Sequence, residues 1–195
     1  MLFPVNYFFL LVEILSALCA GNVSKESVNQ PNLLFIFPDQ FRAQAMAFMR
    51  EDPVKTPNID RLAEQGIVFA NAVSNRPICS PYRGMLMTGK YSFSNNVLTN
   101  CNTSTRKFQN FLHEDETCFS DVLKNNGYYC GYIGKWHLDA PKGPDVDDWR
   151  DSIWDTYTPP GRKRHGFDFW HAYGCYNEHL NPYYWVNDSP VEDTL

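Results

Sequence analysis

A cysteine, a proline and an arginine at Cys79, Pro81 and Arg83 form the spacing in this sequence that is best suited to chemistry. The stretch that starts there reads CSPYRGMLMTGK and predicts a short helix ending near Gly89. A helix N-terminus carries exposed N–H groups and a partial positive charge, which favour a bound anion or a lowered thiol pKa. Arg83 projects from the first helical turn towards the same space. From these residues alone, Cys79 is a disulfide cysteine, a thiolate nucleophile or part of an anion site.

Two further pairs of polar residues lie at the ends of predicted strands. Asp39 and Gln40 directly follow a continuous apolar run, and their oxygens could hold a hard cation such as Ca²⁺ or Mg²⁺. An aspartate after a strand is also often only a turn or capping residue. Lys135 and His137 lie at the end of another predicted strand, where such residues are usually exposed without a chemical role. Each pair is weak evidence for a site when taken by itself.

Strands and helices alternate along the first two thirds of the chain. A continuous apolar run predicts a strand buried on both faces at residues 32–37, and further strands are predicted at 67–73 and 128–135. One helix is predicted from the N-cap residue Thr56 to Gly66, a second begins near Pro81, and a third covers residues 116–127. This order predicts an α/β fold with a mostly parallel sheet sandwiched by helices. Ligands bind such sheets beyond the carboxyl ends of their strands.

Residues 141–195 are rich in aromatic residues, proline and aspartate, and their periodicity is weak. Two interpretations stay open: a long irregular loop with its own packing cluster, or a substrate-facing wall whose aromatic rings stack on sugars. The basic run GRKRHG at residues 161–166 is interpreted as a solvated loop rather than a docking site for an anionic substrate.

The composition is that of one globular domain with a buried core, since 44% of the 195 residues are hydrophobic. A net charge of −5 argues against a nucleic-acid-binding protein, which would need basic clusters. Residues 1–20 are apolar and end in small residues, which predicts a cleaved signal peptide. A transmembrane anchor is disfavoured because Glu13 would lie near the middle of the membrane. We therefore expect a secreted, periplasmic or lysosomal protein with no stable membrane span.

Export changes the interpretation of the cysteines. Cys19 belongs to the signal segment, which leaves an odd number of cysteines. In an oxidising compartment one of these has another fate, and three pairings are open to the other four, one of them Cys101 with Cys118 and Cys130 with Cys175. Asn102 begins an Asn-Thr-Ser sequon, which is a candidate glycosylation site in a eukaryotic host. The five remaining cysteines are Cys79, Cys101, Cys118, Cys130 and Cys175.

Four segments together resemble the type I sulfatases, a formylglycine-dependent family of the alkaline-phosphatase-like superfamily. CSPYRGMLMTGK resembles the family's Cys-x-Pro-x-Arg signature, and GYIGKWHL, at residues 131–138, resembles its second signature. NLLFIFPDQ resembles the first strand with its metal-binding acidic pair, and TPNIDRLAEQGIVFANA resembles the segment that follows. All four occur in the family's order across residues 31–138. Four motifs in register are far more specific than one short motif.

The resemblance implies a particular fate for Cys79. A formylglycine-generating enzyme would oxidise it to formylglycine, an aldehyde whose hydrate carries two hydroxyl groups. One hydroxyl attacks the sulfur of a sulfate ester and displaces the alcohol, and the second then expels sulfate, so that one difficult step becomes two easier ones. The modified Cys79 is also implied as a metal ligand. On this reading Cys79 is neither a disulfide partner nor a thiolate nucleophile.

The same resemblance implies roles for the other polar residues. Asp39 and Gln40 would bind one Ca²⁺ ion, which polarises the sulfate oxygens and helps to ionise the diol. Arg83 and Lys135 would stabilise negative charge around the diol and the sulfate. His137 would hydrogen-bond to the diol and assist its second deprotonation.

Two departures from the family pattern keep alternatives open. Many members have Asp-Asp where this chain has Asp39-Gln40, and the Asp-Gln pair also resembles formylglycine-dependent phosphonate monoester and phosphodiester hydrolases. The family's downstream Asp-Asn or Asp-His metal pair has no convincing match in residues 139–195. We interpret residues 31–195 as the N-terminal portion of an arylsulfatase-like catalytic domain, with a truncated, non-catalytic product as the alternative. The expected substrate is a sulfate ester, with export and the aromatic segment favouring a sulfated carbohydrate such as a polysaccharide.

Overall fold

The computed structural model describes residues 30–144, 146, 149–175, 180–181, 183–186 and, for the backbone alone, 192–194. The chain divides into two compact units, residues 1–41 and residues 42–195. The signal peptide predicted at residues 1–20 lies outside the described residues and stays a prediction. No helix in the described ranges is long and apolar enough to cross a membrane.

The described part of the first unit, residues 30–41, has no helix or strand. The strand predicted at residues 32–37 is therefore wrong here, and Leu34 and Ile36 are 84% and 78% exposed. A strand that is buried on both faces needs neighbouring strands and covering helices, and the described residues of this unit contain neither. Asp39 and Gln40 form a turn in which Gln40 takes a left-handed conformation, with φ at 53°.

The helices of the second unit confirm the three helices predicted from sequence. Helix α1, Pro57–Gln65, has Thr56 before it and Gly66 after it, as its capping residues predicted. Helix α2, Cys79–Thr88, ends at Gly89, whose φ of 66° is a left-handed conformation that glycine adopts without strain. The remaining helices are α3 (Ser92–Asn95), α4 (Thr103–Arg106) and α5 (Phe119–Asn125), with 3-10 turns at Ala43–Ala45, Ala47–Met49, Trp149–Asp151 and Arg162–Arg164.

Four strands form one mixed sheet in the order β1-β2-β3-β4. Strands β1 and β2 are parallel, with Lys135 opposite Tyr173, whereas the two following pairs are antiparallel. The strands are β1 (Gly131–Lys135), β2 (Phe169–Tyr173), β3 (Tyr183–Val186) and β4 (Glu192–Thr194).

The sheet confirms the α/β class and corrects two details of the prediction. Residues 67–73 form no strand, and Ile67 and Val73 are 84% and 89% exposed. The aromatic segment after residue 141 is partly strand rather than wholly irregular, because aromatic side chains fit a pleated, half-buried surface. Trp170 of β2 is 1% exposed and Trp185 of β3 is 9% exposed. These rings pack inside the unit rather than forming a wall open to substrate.

The core fixes helix α2 against the end of β1. Met87 of α2 belongs to the same buried cluster as Trp136, which directly follows β1. The ring of Tyr132 stacks on Trp170 at 5.2 Å between centroids and meets Trp136 edge-on at 5.1 Å. Such aromatic pairs stabilise a fold beyond the burial of their apolar area, so this packing stabilises the end of β1. The members of the cluster are Met87, Val97, Cys101, Leu112, Cys118, Trp136, Leu138, Trp170 and Ala172.

The basic run at residues 161–166 is only partly the solvated loop that we predicted, because Gly161 and Arg162 are exposed whereas Arg164 and His165 are buried. The guanidinium of Arg164 lies 5.1 Å from the centre of the Trp170 ring, and Arg164 is only 3% exposed. His165 is equally buried, and Lys163 forms an ion pair at 3.2 Å with the buried Asp139. The prediction failed for Arg164 because an arginine can bury its planar cation on an aromatic face.

Candidate active site

The structure brings the two signature segments together at the start of helix α2. Cys79 is the first residue of α2 and is partly exposed. Lys135 ends β1, and its Nζ lies 3.7 Å from the sulfur of Cys79, although the two residues are 56 positions apart. An ammonium group at this distance favours negative charge on whatever group replaces or binds the thiol.

Arg83 links helix α2 to the same end of β1. Its guanidinium donates hydrogen bonds to the backbone carbonyl of Lys135 and, at 3.3 Å, to the hydroxyl of Tyr132. The Tyr132 hydroxyl donates to the same Lys135 carbonyl. Arg83 and Lys135 are 5% and 6% exposed, and burying two cations is costly unless negative or dipolar groups compensate them. Two cationic side chains are thus buried at the same end of β1, where their positive charge favours a bound anion.

His137 is tied to helix α2 through its backbone. The hydroxyl of Ser80 donates to the His137 carbonyl at 2.7 Å and accepts the backbone N–H of Cys101 at 3.0 Å. The imidazole Nε2 of His137 lies 3.1 Å from the Cys101 carbonyl oxygen. Ser80 and His137 are at most 1% exposed, so this arrangement is shielded from water.

The second unit thus contains four of the six predicted site residues, Cys79, Arg83, Lys135 and His137. Asp39 and Gln40 belong to the first unit, and their role as metal ligands stays a prediction. Sequence reasoning missed three contributors, Ser80, Tyr132 and the Cys101 backbone. Ser80 occupies the unspecified position of Cys-x-Pro-x-Arg, and no residue pattern in the sequence distinguishes the other two.

The five described cysteines are thiols rather than disulfides, so none of the three pairings predicted for an oxidising compartment is formed. Burial raises the pKa of the Cys101 and Cys118 thiols to about 12, which leaves them protonated and unreactive. The interpretation of Asn102 as a candidate glycosylation site is also corrected, because its side chain is buried and used inside the fold. Asn102 is 3% exposed, and its side-chain oxygen caps α4 by accepting the N–H of Thr105 at 3.0 Å.

These raised pKa values predict an alkaline loss of stability. Unfolded thiols ionise near pH 9 and these folded thiols near pH 12. Each thiol therefore stabilises the fold fully below pH 9 and progressively less as the pH rises towards 12, by about 1.4 kcal/mol per pH unit. Urea unfolding under reducing conditions should show the advantage of wild type over Cys118→Ala shrinking across this window. A constant difference in the free energy of unfolding from pH 8 to pH 11 would contradict the expectation.

Comparison with known proteins decides the family. The profile described as Sulfatase matches residues 31–190. The chain belongs to the sulfatase family. It is 42% identical over 185 residues to an endo-4-O-sulfatase of Bacteroides thetaiotaomicron, covering 86% of this chain and 36% of that protein. It is 34% identical to an ulvan-active sulfatase of Formosa agariphila, covering 85% of this chain and 29% of that one.

A solved structure shows the same relationship in three dimensions. The chain superimposes on a Bacteroides fragilis protein assigned as a sulfatase, with a TM-score of 0.81 and 46% identity. The match covers 90% of this chain and 38% of that one. The predicted sulfatase-like fold is therefore confirmed, and the chain spans about a third of the length of the sulfatases it matches. All six predicted site residues lie within the range that the family profile matches.

Proposed function

We propose that this sulfatase-family chain supplies the nucleophile and two positively charged side chains, Lys135 and Arg83, of a site that hydrolyses sulfate esters of carbohydrates. The carrying observation is the placement of the Lys135 ammonium 3.7 Å from the Cys79 sulfur, beside the buried cation of Arg83. The carbohydrate part is supported by the relative described as ulvan-active and by the endo-4-O-sulfatase. We use the term active enzyme for this chain, continued where needed to the length of those relatives. The proposed activity is that of the active enzyme.

The chain's own residues divide the work at the reacting sulfate. Formylglycine at position 79, once hydrated, supplies an oxygen nucleophile and a second hydroxyl for releasing sulfate. Lys135 stabilises the negative charge that accumulates beside position 79, because its ammonium is already aimed there and is removed from bulk water. Arg83 donates a hydrogen bond to the Lys135 backbone carbonyl and adds positive charge to the same site. His137 accepts or returns a proton at an imidazole nitrogen.

Asp39 and Gln40 would hold a divalent cation. Their carboxylate and amide oxygens are hard donors of the kind that Ca²⁺ prefers. The turn that carries them holds Gln40 in a left-handed conformation, at φ 53°, and such backbone strain in a residue other than glycine is concentrated at ligand sites. The donor chemistry therefore fits Ca²⁺, which when bound polarises the oxygens of an anionic substrate. The neutral Gln40 also keeps phosphonate monoesters and phosphodiesters as alternative substrates.

The experiment that tests this function has two stages. The chain is first produced with and without a formylglycine-generating enzyme. The mass of the peptide that contains position 79 is then measured by mass spectrometry. We expect the aldehyde at Cys79 only with that enzyme present, while the partly exposed Cys175 remains a thiol in both samples. A thiol or disulfide at position 79 in the presence of a competent enzyme would contradict the assignment.

The second stage compares substrates. The active enzyme is incubated separately with a sulfated oligosaccharide, an aryl sulfate and a phosphodiester. We expect the sulfated oligosaccharide to have the largest kcat/KM. Faster turnover of the phosphodiester would favour the alternative hydrolase, and no turnover of any ester by the fully converted protein would favour a non-catalytic product. Export, supported by the apolar segment at residues 1–20, is tested by recovering the processed protein outside the cytoplasm.

A further inference from the structure

A buried ring of hydrogen bonds joins three residues that are far apart in the sequence. The Ser80 hydroxyl donates to the carbonyl oxygen of His137 at 2.7 Å. The same hydroxyl accepts the backbone N–H of Cys101 at 3.0 Å. The Cys101 carbonyl in turn lies 3.1 Å from Nε2 of His137. The hydroxyl therefore fixes the backbone on one side of Cys101, and the imidazole meets the backbone on the other side.

The proton positions in this ring follow from the chemistry of the partners. A carbonyl oxygen only accepts hydrogen bonds, so the bond to Cys101 requires a hydrogen on Nε2 of His137. A neutral imidazole carries one N–H, and Nδ1 must then hold the lone pair. The single hydrogen of the Ser80 hydroxyl is used on the His137 carbonyl, which leaves its oxygen to accept from Cys101. Each hydrogen in the ring thus has one consistent place.

Ser80 is itself held in position. Its backbone N–H donates to the side-chain oxygen of Asn100 at 3.1 Å, and the residue is 0% exposed. His137 has a φ of 51°, in the left-handed region that is costly for residues other than glycine. The Ser80 hydroxyl binds the carbonyl of this strained residue. Removing the hydroxyl would leave two buried backbone groups, the His137 carbonyl and the Cys101 N–H, without this partner.

We propose that Ser80 is a positioning residue that sets the tautomer of His137. By holding the Cys101 backbone in line with Nε2, it makes Nδ1 the nitrogen that can accept a proton. The catalytic meaning of this assignment rests on the proposed function, since His137 must move a proton for the choice of nitrogen to matter. The tautomer itself does not depend on activity.

Nitrogen NMR of the imidazoles tests the proposal on the chain itself. The chain is labelled with ¹⁵N-histidine, and two-bond ¹H–¹⁵N correlations distinguish protonated from unprotonated ring nitrogens. The His137 signals are assigned by their loss in His137→Gln. We expect wild type at neutral pH to show N–H at Nε2 and a lone pair at Nδ1, and Ser80→Ala to give a mixture of both tautomers.

Ser92→Ala is the matched control. Ser92 is 5% exposed, and its hydroxyl has no hydrogen-bond partner within the described part of the chain. This variant removes a buried serine hydroxyl outside the ring and should leave the His137 signals unchanged. Asn100→Ala loosens Ser80 from a second direction and should produce a smaller shift of the same kind, so the test does not depend on the folding of Ser80→Ala.

Two results would overturn the proposal. One is N–H at Nδ1 of His137 in wild type. The other is an unchanged tautomer in whichever of Ser80→Ala and Asn100→Ala folds. In the active enzyme, Ser80→Ala should lower kcat on the order of tenfold to a hundredfold with little change in KM, as expected for misalignment of a proton-transfer group. A wild-type protein with the expected tautomer and no esterase activity would count against the proposed function alone.

Discussion

In the active enzyme, Cys79→Ser is expected to react with one sulfate ester per molecule and then stop. The serine oxygen at the start of α2 attacks sulfur, the S–O bond to the alcohol breaks, and the alcohol leaves with a proton. Serine has no second hydroxyl on the same carbon with which to expel sulfate. Intact-protein mass spectrometry should show the mass of one sulfate group added, and fragmentation should place it at position 79.

The comparison variants separate the nucleophile from its supporting charge. Cys79→Ala should show no covalent step, because it has no nucleophile. Lys135→Ala should keep multiple turnover but lose on the order of ten- to ten-thousand-fold in rate, as when one electrostatic group is removed. Lys124→Ala, which removes an exposed lysine paired with Asp168, should change the turnover rate little.

All samples of Cys79→Ser are made without a formylglycine-generating enzyme. Sustained turnover by Cys79→Ser would show that water releases the sulfate, and the diol mechanism would be wrong.

Asp39→Asn is expected to weaken Ca²⁺ binding to the active enzyme on the order of a hundredfold and to reduce turnover with it. The change keeps the shape of the side chain and removes one negative charge, on which the affinity of hard cations depends. Gln40→Glu should have the opposite effect on Ca²⁺ binding, because it adds a carboxylate beside Asp39. Isothermal titration calorimetry with Ca²⁺ measures both.

The control for the metal prediction is Asp115→Asn. The Asp115 side chain is 81% exposed and forms an ion pair with Arg162 on the surface, so its charge should not contribute to a specific site. The assignment fails if Asp39→Asn and Asp115→Asn bind Ca²⁺ equally well.

Local sequence signals predicted those parts of the fold that depend on local chemistry. Helix α2 ends where Gly89 supplies a left-handed residue, and α1 lies between Thr56 and Gly66. The runs at residues 32–37 and 67–73 have the composition of buried strands, but a strand exists only through hydrogen bonds to a neighbour. The composition of a segment shows that it would be stable as a strand beside a neighbour. It does not show whether that neighbouring strand is present.

The site shows the same division between what motifs predict and what they miss. Cys79 and Lys135 were predicted from motifs, and the structure places them side by side. Ser80 and Tyr132 act through hydrogen bonds to backbone carbonyls. A backbone carbonyl is present at every position, so no residue pattern identifies which one will be used. Such partners become visible only when the chain is folded.

The hydrogen bonds between α2 and the end of β1 also determine when the site can form during folding. The bond from Ser80 to His137 closes a loop of 57 residues, and the bond from Arg83 to Lys135 closes one of 52. Helices such as α2 form from local contacts within microseconds, whereas contacts between distant residues must first overcome the entropy of loop closure. We therefore expect the site to be completed only after these distant contacts form, later than the local contacts within α2. During that interval Cys79 is still on an open segment of chain, and its side chain is accessible to any modifying catalyst.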